Sequence, residues 1–185
     1  RKAVEVTKGN SEPKIGVIAT EATVASNAYF EAIRRASGSA SVLQAACPLF
    51  VPLAEENWIS EPETFTIARK HLAPIIEFEP DALVLGCTHY PILRDVIGQI
   101  VGESVKLIDS GEAAADEVAS MLADRGLASD ETIEGPRRLC DDLVHFYVTD
   151  AADRFARVAE RFLGSPPSRI EAVEVYGGDG LGIGG

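Results

Sequence analysis

A thiol, a hydroxyl and an imidazole fall side by side at Cys87, Thr88 and His89. A thiol becomes a strong base or nucleophile as its thiolate, and a neighbouring imidazole can take the proton or hold the charge. On its own Cys87 reads as a small packing residue; with Thr88 and His89 in the same turn it reads as reactive. His89 then serves as a general acid or as the hydrogen-bond partner of the thiolate, a helix-capping histidine being the plainer alternative. The other candidates lie far from this turn in sequence. Thr20 and Thr23 could hold a carboxylate with their hydroxyls and the nearby N–H groups, or simply cap a helix. Glu55 and Glu56 could act as general acids, could orient His89, or could lie on a solvated loop. Cys47 is a formal rival to Cys87, but Pro48 and an apolar run follow it, so it reads as packing; Cys140 reads as exposed and incidental. His71 and His145 fall inside a predicted helix and strand and read as structural. Asp109-Ser110-Gly111 has the look of a phosphate or carboxylate turn, which a Ser N-cap explains.

These residues need elements to carry them. Lys14 to Ala19 reads as a buried strand, and a helix is predicted from Thr23 to Ala36. Ser41 to Ala46 is a second strand, followed by a loop with apolar anchors over Leu49 to Asn57. Ser60-Glu61-Pro62-Glu63 has the spacing of a capping box, predicting a helix to Phe78 with a kink at Pro74. Leu83 to Leu85 is the third strand, and Pro91 opens a helix over Ile92 to Val101, whose N-terminus would favour a Cys87 thiolate. Ser104 to Ile108 is a fourth strand, and Asp109-Ser110-Gly111-Glu112 opens a helix to Arg125-Gly126. Residues 127–143 read as a linker. Val144 to Val148 is a strand, Asp150 caps a helix over Ala151 to Leu163, and Ile170 to Tyr176 is a last strand. The glycine-rich tail, 177–185, is expected to be disordered. Alternating strands and helices predict an α/β fold with an open parallel sheet flanked by helices. In such a sheet ligands bind beyond the C-terminal strand ends, where the Cys87 turn falls.

Composition narrows the function. The chain has 185 residues, 46% of them hydrophobic, and a formal charge of −12 without a basic cluster, which argues against nucleic acid as a direct ligand. No apolar run reaches the length of about 18 residues that a membrane helix needs. Three cysteines, neither metal-spaced nor paired as a disulfide framework, suggest a reducing cytoplasm. No Gly-rich phosphate loop, metal cluster or convincing pyridoxal phosphate lysine is visible, so no cofactor is expected. Arg1 begins mid-pattern, as in a processed, truncated or fragmentary chain.

The motif Gly86-Cys87-Thr88-His89-Tyr90-Pro91 resembles the second cysteine motif of the glutamate racemases, cofactor-independent members of the aspartate/glutamate racemase superfamily. The resemblance extends to Ile15-Gly16-Val17-Ile18-Ala19-Thr20 with Thr23 and Ser26, to Ala46-Cys47-Pro48-Leu49-Phe50-Val51-Pro52-Leu53, and to Phe146-Tyr147-Val148-Thr149-Asp150. It implies a reaction in which one thiolate removes the Cα proton of glutamate and a second thiol reprotonates the opposite face, supplying D-glutamate for peptidoglycan. Cys87 matches the second cysteine and His89 the histidine assisting it. Thr88, Thr20 and Thr23 match substrate-holding residues. Glu55 best matches the assisting carboxylate, with Glu56 the alternative after a one-residue shift. On this reading residues 1–13 end the crossover helix between two pseudo-symmetric domains, 14–126 form the second domain, and 144–176 return to the first. A homodimer is one assembly open to it. The family's Asp-Ser-Gly and Cys-Asn-Thr turns, the latter carrying the first cysteine, do not precede Arg1. The chain would then carry only the second-cysteine half-site and be inactive alone. A racemase for aspartate or another acidic amino acid, and an inactive fragment or binding module of the same fold, are the alternatives.

Overall fold

The strand at the middle of the sheet, β1 (Lys14–Ala19), is buried at every residue except its first. Such burial requires apolar cover on both faces of a parallel sheet, and the sequence provides it. In the computed structural model, which describes residues 1–129 and 144–174, the chain divides into two units, Arg1–Ser129 and Asp130–Gly185. The first unit holds a four-stranded sheet in the order β2-β1-β3-β4, with β2 at Ser41–Ala46, β3 at Ala82–Leu85 and β4 at Lys106–Asp109. All three pairings are parallel, with Ile18 opposite Ala45 on one side and Leu85 on the other.

The period of two along each strand divides the core. Ile18, Leu83 and Leu85 face α5 (Pro62–Phe78) and α6 (Arg94–Val101), packing with Leu72, Ile75 and Ile97. Ile15, Val17, Ala82 and Val84 face the other way, packing with Ala3 of α1 (Lys2–Val6) and Ile33 of α3 (Ala28–Ala36). Each fully buried Leu or Ile contributes about 1.5–3 kcal/mol, so both layers stabilise the sheet edge where the Cys87–His89 turn emerges. The α/β architecture with an open parallel sheet is the one anticipated from the alternating pattern.

Several local expectations are corrected. The helix predicted over Thr23 to Ala36 is two helices, α2 (Glu21–Ala25) and α3, broken at Asn27, whose φ is +55°. Asparagine tolerates this left-handed conformation, and its side-chain oxygen accepts a hydrogen bond from Gln44 Nε2 at 3.0 Å. The predicted loop over Leu49 to Asn57 contains a helix, α4 (Phe50–Glu55). Pro52 sits in its first turn, where the missing N–H would have no helical partner, so it is compatible with the helix. The capping box at Ser60 does not form: Glu61 is the N-cap, and its carboxylate accepts from the Ser60 amide at 3.0 Å. Helix α5 continues through Pro74. The helix expected from Ile92 begins as a 3-10 turn, Tyr90–Leu93, and becomes α-helical only at Arg94. Asp109, not Ser110, caps α7 (Ser110–Asp124), its carboxylate accepting from the Gly111 and Glu112 amides.

In the second unit β5 (Phe146–Val148) pairs in parallel with β6 (Ile170–Ala172), with α8 (Ala152–Leu163) between them in sequence. His145 precedes β5 and does not lie inside it; its ring stacks on Tyr147. Asp150 accepts from the Ala151 amide, and Ala151 at φ +48° is the N-cap position of α8. Most of the expected linker, with Cys140, and the expected disordered tail lie outside the described residues. Among the described residues no helix is long and apolar enough to cross a membrane.

Candidate functional site

Strand order reverses next to β1: the chain leaves β1 for β2 on one side, and β3 and β4 build the other. The C-terminal ends of β1 and β3 therefore diverge into separate connections and leave a crevice, the usual ligand position in this architecture. Thr20 follows β1 and Gly86-Cys87 follows β3, and the two strands are direct neighbours. Gly86 is required by close approach. Its amide donates to Ile18 O at 2.8 Å, and a Cβ there would lie 3.0 Å from both Ile18 O and Tyr29 Cε2. The chain then turns, with the Tyr90 amide donating to Cys87 O at 3.2 Å, and the turn presents Cys87, Thr88 and His89.

Within this turn Cys87 Sγ lies 3.9 Å from His89 Nδ1, and Thr88 Oγ1 lies 3.4 Å from the same nitrogen. The other ring nitrogen, Nε2, lies 3.3 Å from Glu55 Oε1. Glu55 is the last residue of α4, whose buried residues Phe50, Leu53 and Ala54 set the phase of the helix. That phase turns Glu55 to the imidazole and leaves Glu56 exposed as the C-cap residue. A carboxylate accepting from Nε2–H favours the tautomer with a lone pair on Nδ1, which then faces the thiol. The line Cys87–His89–Glu55 can thus draw a proton from sulfur to nitrogen and stabilise the imidazolium that results. The His89 and Glu55 side chains are 23% and 20% exposed, open enough for a small molecule yet shielded enough for the charges to interact.

The helix dipole contributes less than the sequence suggested. Its effect fades within one turn, and α6 begins only at Arg94, beyond the 3-10 turn. The two described cysteines differ in exposure: Cys87 is partly exposed and Cys47 is buried. Burial pushes the Cys47 thiol up to about 12, so it stays protonated and packs. Thr20 is the N-cap of α2, its hydroxyl accepting from the Thr23 amide at 3.4 Å and lying 3.0 Å from the Thr23 hydroxyl. Capping is thus its visible task, with the paired hydroxyls half-buried at the crevice edge. His71 lies in α5 with its ring edge-on to Phe50, as a packing residue. Ser110 donates to Leu85 O at 2.9 Å, tying the end of β4 to the strand that leads into the turn.

Sequence reasoning missed Tyr90. It is fully buried and its phenol donates to Cys47 O at 2.8 Å. The available signal was a large aromatic placed directly after the Cys87–His89 turn. A groove of about 560 Å³ lies elsewhere, lined by Tyr29, Ile33, Val84 and Ser110, and includes none of Cys87, His89 and Glu55. Among the described residues no three His, Cys, Asp or Glu side chains gather closely enough to hold a metal ion.

Comparison with known proteins gives a consistent picture. The family model described as Asp/Glu/hydantoin racemase matches residues 2–118. The glutamate racemase of Geobacter metallireducens is 43% identical over 164 residues, a match covering 89% of this chain and 57% of that protein. That of Chlorobaculum tepidum is 43% identical over 171 residues, covering 92% and 59% respectively. A solved glutamate racemase isoform from Bacillus anthracis superposes with a TM-score of 0.81 at 31% identity, covering 95% of this chain and 61% of that one. The Francisella tularensis glutamate racemase, solved with D-glutamate, gives a TM-score of 0.78 at 32% identity, with 93% and 61% covered. The chain thus spans less than two thirds of the length of these relatives.

Proposed function

Because this chain belongs to the Asp/Glu/hydantoin racemase family, we propose that it carries the second-cysteine half of a cofactor-independent glutamate racemase. The whole enzyme interconverts L- and D-glutamate in the cytoplasm and supplies D-glutamate for peptidoglycan. The observation that carries the reading is the line Cys87–His89–Glu55 at the C-terminal edge of the sheet. In one direction, His89 draws the thiol proton and the Cys87 thiolate removes the Cα proton, leaving a carbanion. A second thiol then donates a proton to the opposite face, and the inverted amino acid leaves. In the reverse direction Cys87 is the donor. No electrons are gained or lost: Cys87 ends as a thiol carrying the former Cα proton, His89 holds the proton first drawn from Cys87, and the second cysteine ends as the thiolate. One base cannot invert Cα, because it returns the proton to the face it came from. Cys47 cannot serve as the second base, being buried and protonated. The second thiol is therefore assigned to a part of the enzyme other than the described residues. Thr88, Thr20 and Thr23 hold the substrate.

The test is a chimera in which this chain replaces the matching part of the Geobacter metallireducens racemase. The chimera should racemise glutamate, and Cys87→Ala should reduce turnover by about a thousandfold or more. Full activity in the Cys87→Ala chimera would overturn the mechanism, and preference for aspartate would change the substrate. The 185-residue chain alone, incubated with each enantiomer in D2O, should exchange the Cα proton of one enantiomer at most. Racemisation by that chain without a partner would overturn the half-site assignment.

A further inference from the structure

The site depends on a distance that the sheet does not set. Cys87 and His89 follow β3, whereas Glu55 ends the helix that follows β2, and β1 lies between those two strands. Two strand spacings amount to about 10 Å, and no ladder hydrogen bond joins β2 to β3. A link is nevertheless present. Tyr90 closes the reactive turn with its amide, which donates to Cys87 O, while its phenol donates to Cys47 O at the junction of β2 and α4. Its ring stands edge-on to Phe50, the first residue of α4, with centroids 5.2 Å apart. Tyr90, Phe50 and Cys47 are all fully buried, so no water competes for the phenol bond.

We infer that Tyr90 is a positioning residue for this site: its buried phenol spans from the Cys87–His89 turn to the start of α4 and holds Glu55 within reach of His89. The inference rests on the reading of Cys87, His89 and Glu55 given under Proposed function. A phenol serving only the core would satisfy its hydroxyl without any coupling to that line. The conservative variant is expected to fold, because Tyr90→Phe keeps the ring and Cys47 O still accepts from the Phe50 amide at 3.1 Å.

The experiment uses the 185-residue chain and iodoacetamide, with alkylation followed at the Cys87 peptide by mass spectrometry so that Cys47 and Cys140 are scored apart. His89→Gln and Glu55→Gln should each slow Cys87 alkylation about tenfold, as expected for loss of a charge-assisted hydrogen bond. Tyr90→Phe should slow it about fivefold, the equivalent of one neutral hydrogen bond, and should add less than about twofold when combined with Glu55→Gln. A core control, Ile97→Val, should leave the rate within about twofold of the parent. A parental rate in Tyr90→Phe, or full additivity with Glu55→Gln, would overturn the positioning role. If His89→Gln and Glu55→Gln leave alkylation unchanged, the fault lies in the reading of the site, and the 15N resonances of the His89 ring then decide for Tyr90. Tyr90→Phe should move them as Glu55→Gln does; unmoved resonances would overturn the inference.

Discussion

Adding one methyl group at Gly86 tests how tightly the Cys87–His89 turn is held. In Gly86→Ala the new Cβ would sit 3.0 Å from Ile18 O, 3.0 Å from Tyr29 Cε2 and 3.2 Å from Ala19 Cβ. Tyr29 can swing aside, being only partly buried. Ile18 O cannot move freely, because it belongs to the central strand and accepts the Gly86 amide at 2.8 Å. The turn therefore has to lift by a few tenths of an ångström, stretching that hydrogen bond. Overpacking of this kind costs about 1–3 kcal/mol. For a unit of this size each kcal/mol lowers Tm by roughly 3–5 °C, so a fall of roughly 3–15 °C is expected by calorimetry or circular dichroism. Gly38→Ala is the matched control. A Cβ there meets nothing within 4 Å and φ is unexceptional, so the change should be neutral or stabilising by up to about 1 kcal/mol through the unfolded state. Lifting the turn should also change the rate at which iodoacetamide modifies Cys87. A Gly86→Ala chain with the parental Tm and the parental Cys87 alkylation rate would show that the close approach to β1 does not define the turn.

Two further outcomes follow from burial and backbone geometry. Because burial raises the Cys47 thiol from about 9 to about 12, the folded chain keeps this proton at pH values where the unfolded chain loses it. The resulting stability is full below pH 9 and declines as pH rises towards 12, by at most about 1.4 kcal/mol per pH unit. Urea melts between pH 8 and 11 should show this decline, and Cys47→Ala should remove its contribution; an unchanged slope in that variant would count against the burial argument. Replacing Asn27 by Ala should cost about 1–2 kcal/mol, because alanine resists φ +55° and loses the bond to Gln44, whereas Asn27→Gly should lose mainly the bond. Equal urea midpoints for the Ala and Gly variants would show that the left-handed backbone is not the cause.

Much of this protein was legible in local sequence because its causes are local. Runs such as Lys14–Ala19 and Ala82–Leu85 are apolar on both faces, which only a doubly covered strand requires, and their alternation with helices implied the open parallel sheet. Gly86 to Pro91 could be placed at a strand end for the same reason. The segment Leu49 to Asn57, expected as a loop with apolar anchors, instead contains the helix that carries Glu55, and Pro52 suits its first turn. The break at Asn27 was missed because helical periodicity resumes immediately after it.

By itself the sequence determined the strand order along the chain, the Cys87–Thr88–His89 turn and the family motif, all of them patterns within a few residues. Only the tertiary structure decided which of two adjacent carboxylates meets His89. One residue along a helix is a rotation of about 100°, and the buried face of α4 alone sets that phase. It also gave the cause for reading Cys47 as packing, since burial is what pushes its thiol up to about 12. And it revealed Tyr90 as the link between the segments after β2 and β3, which become neighbours only once β1 lies between their strands. Contacts of that kind depend on how distant segments pack, and no local pattern encodes them.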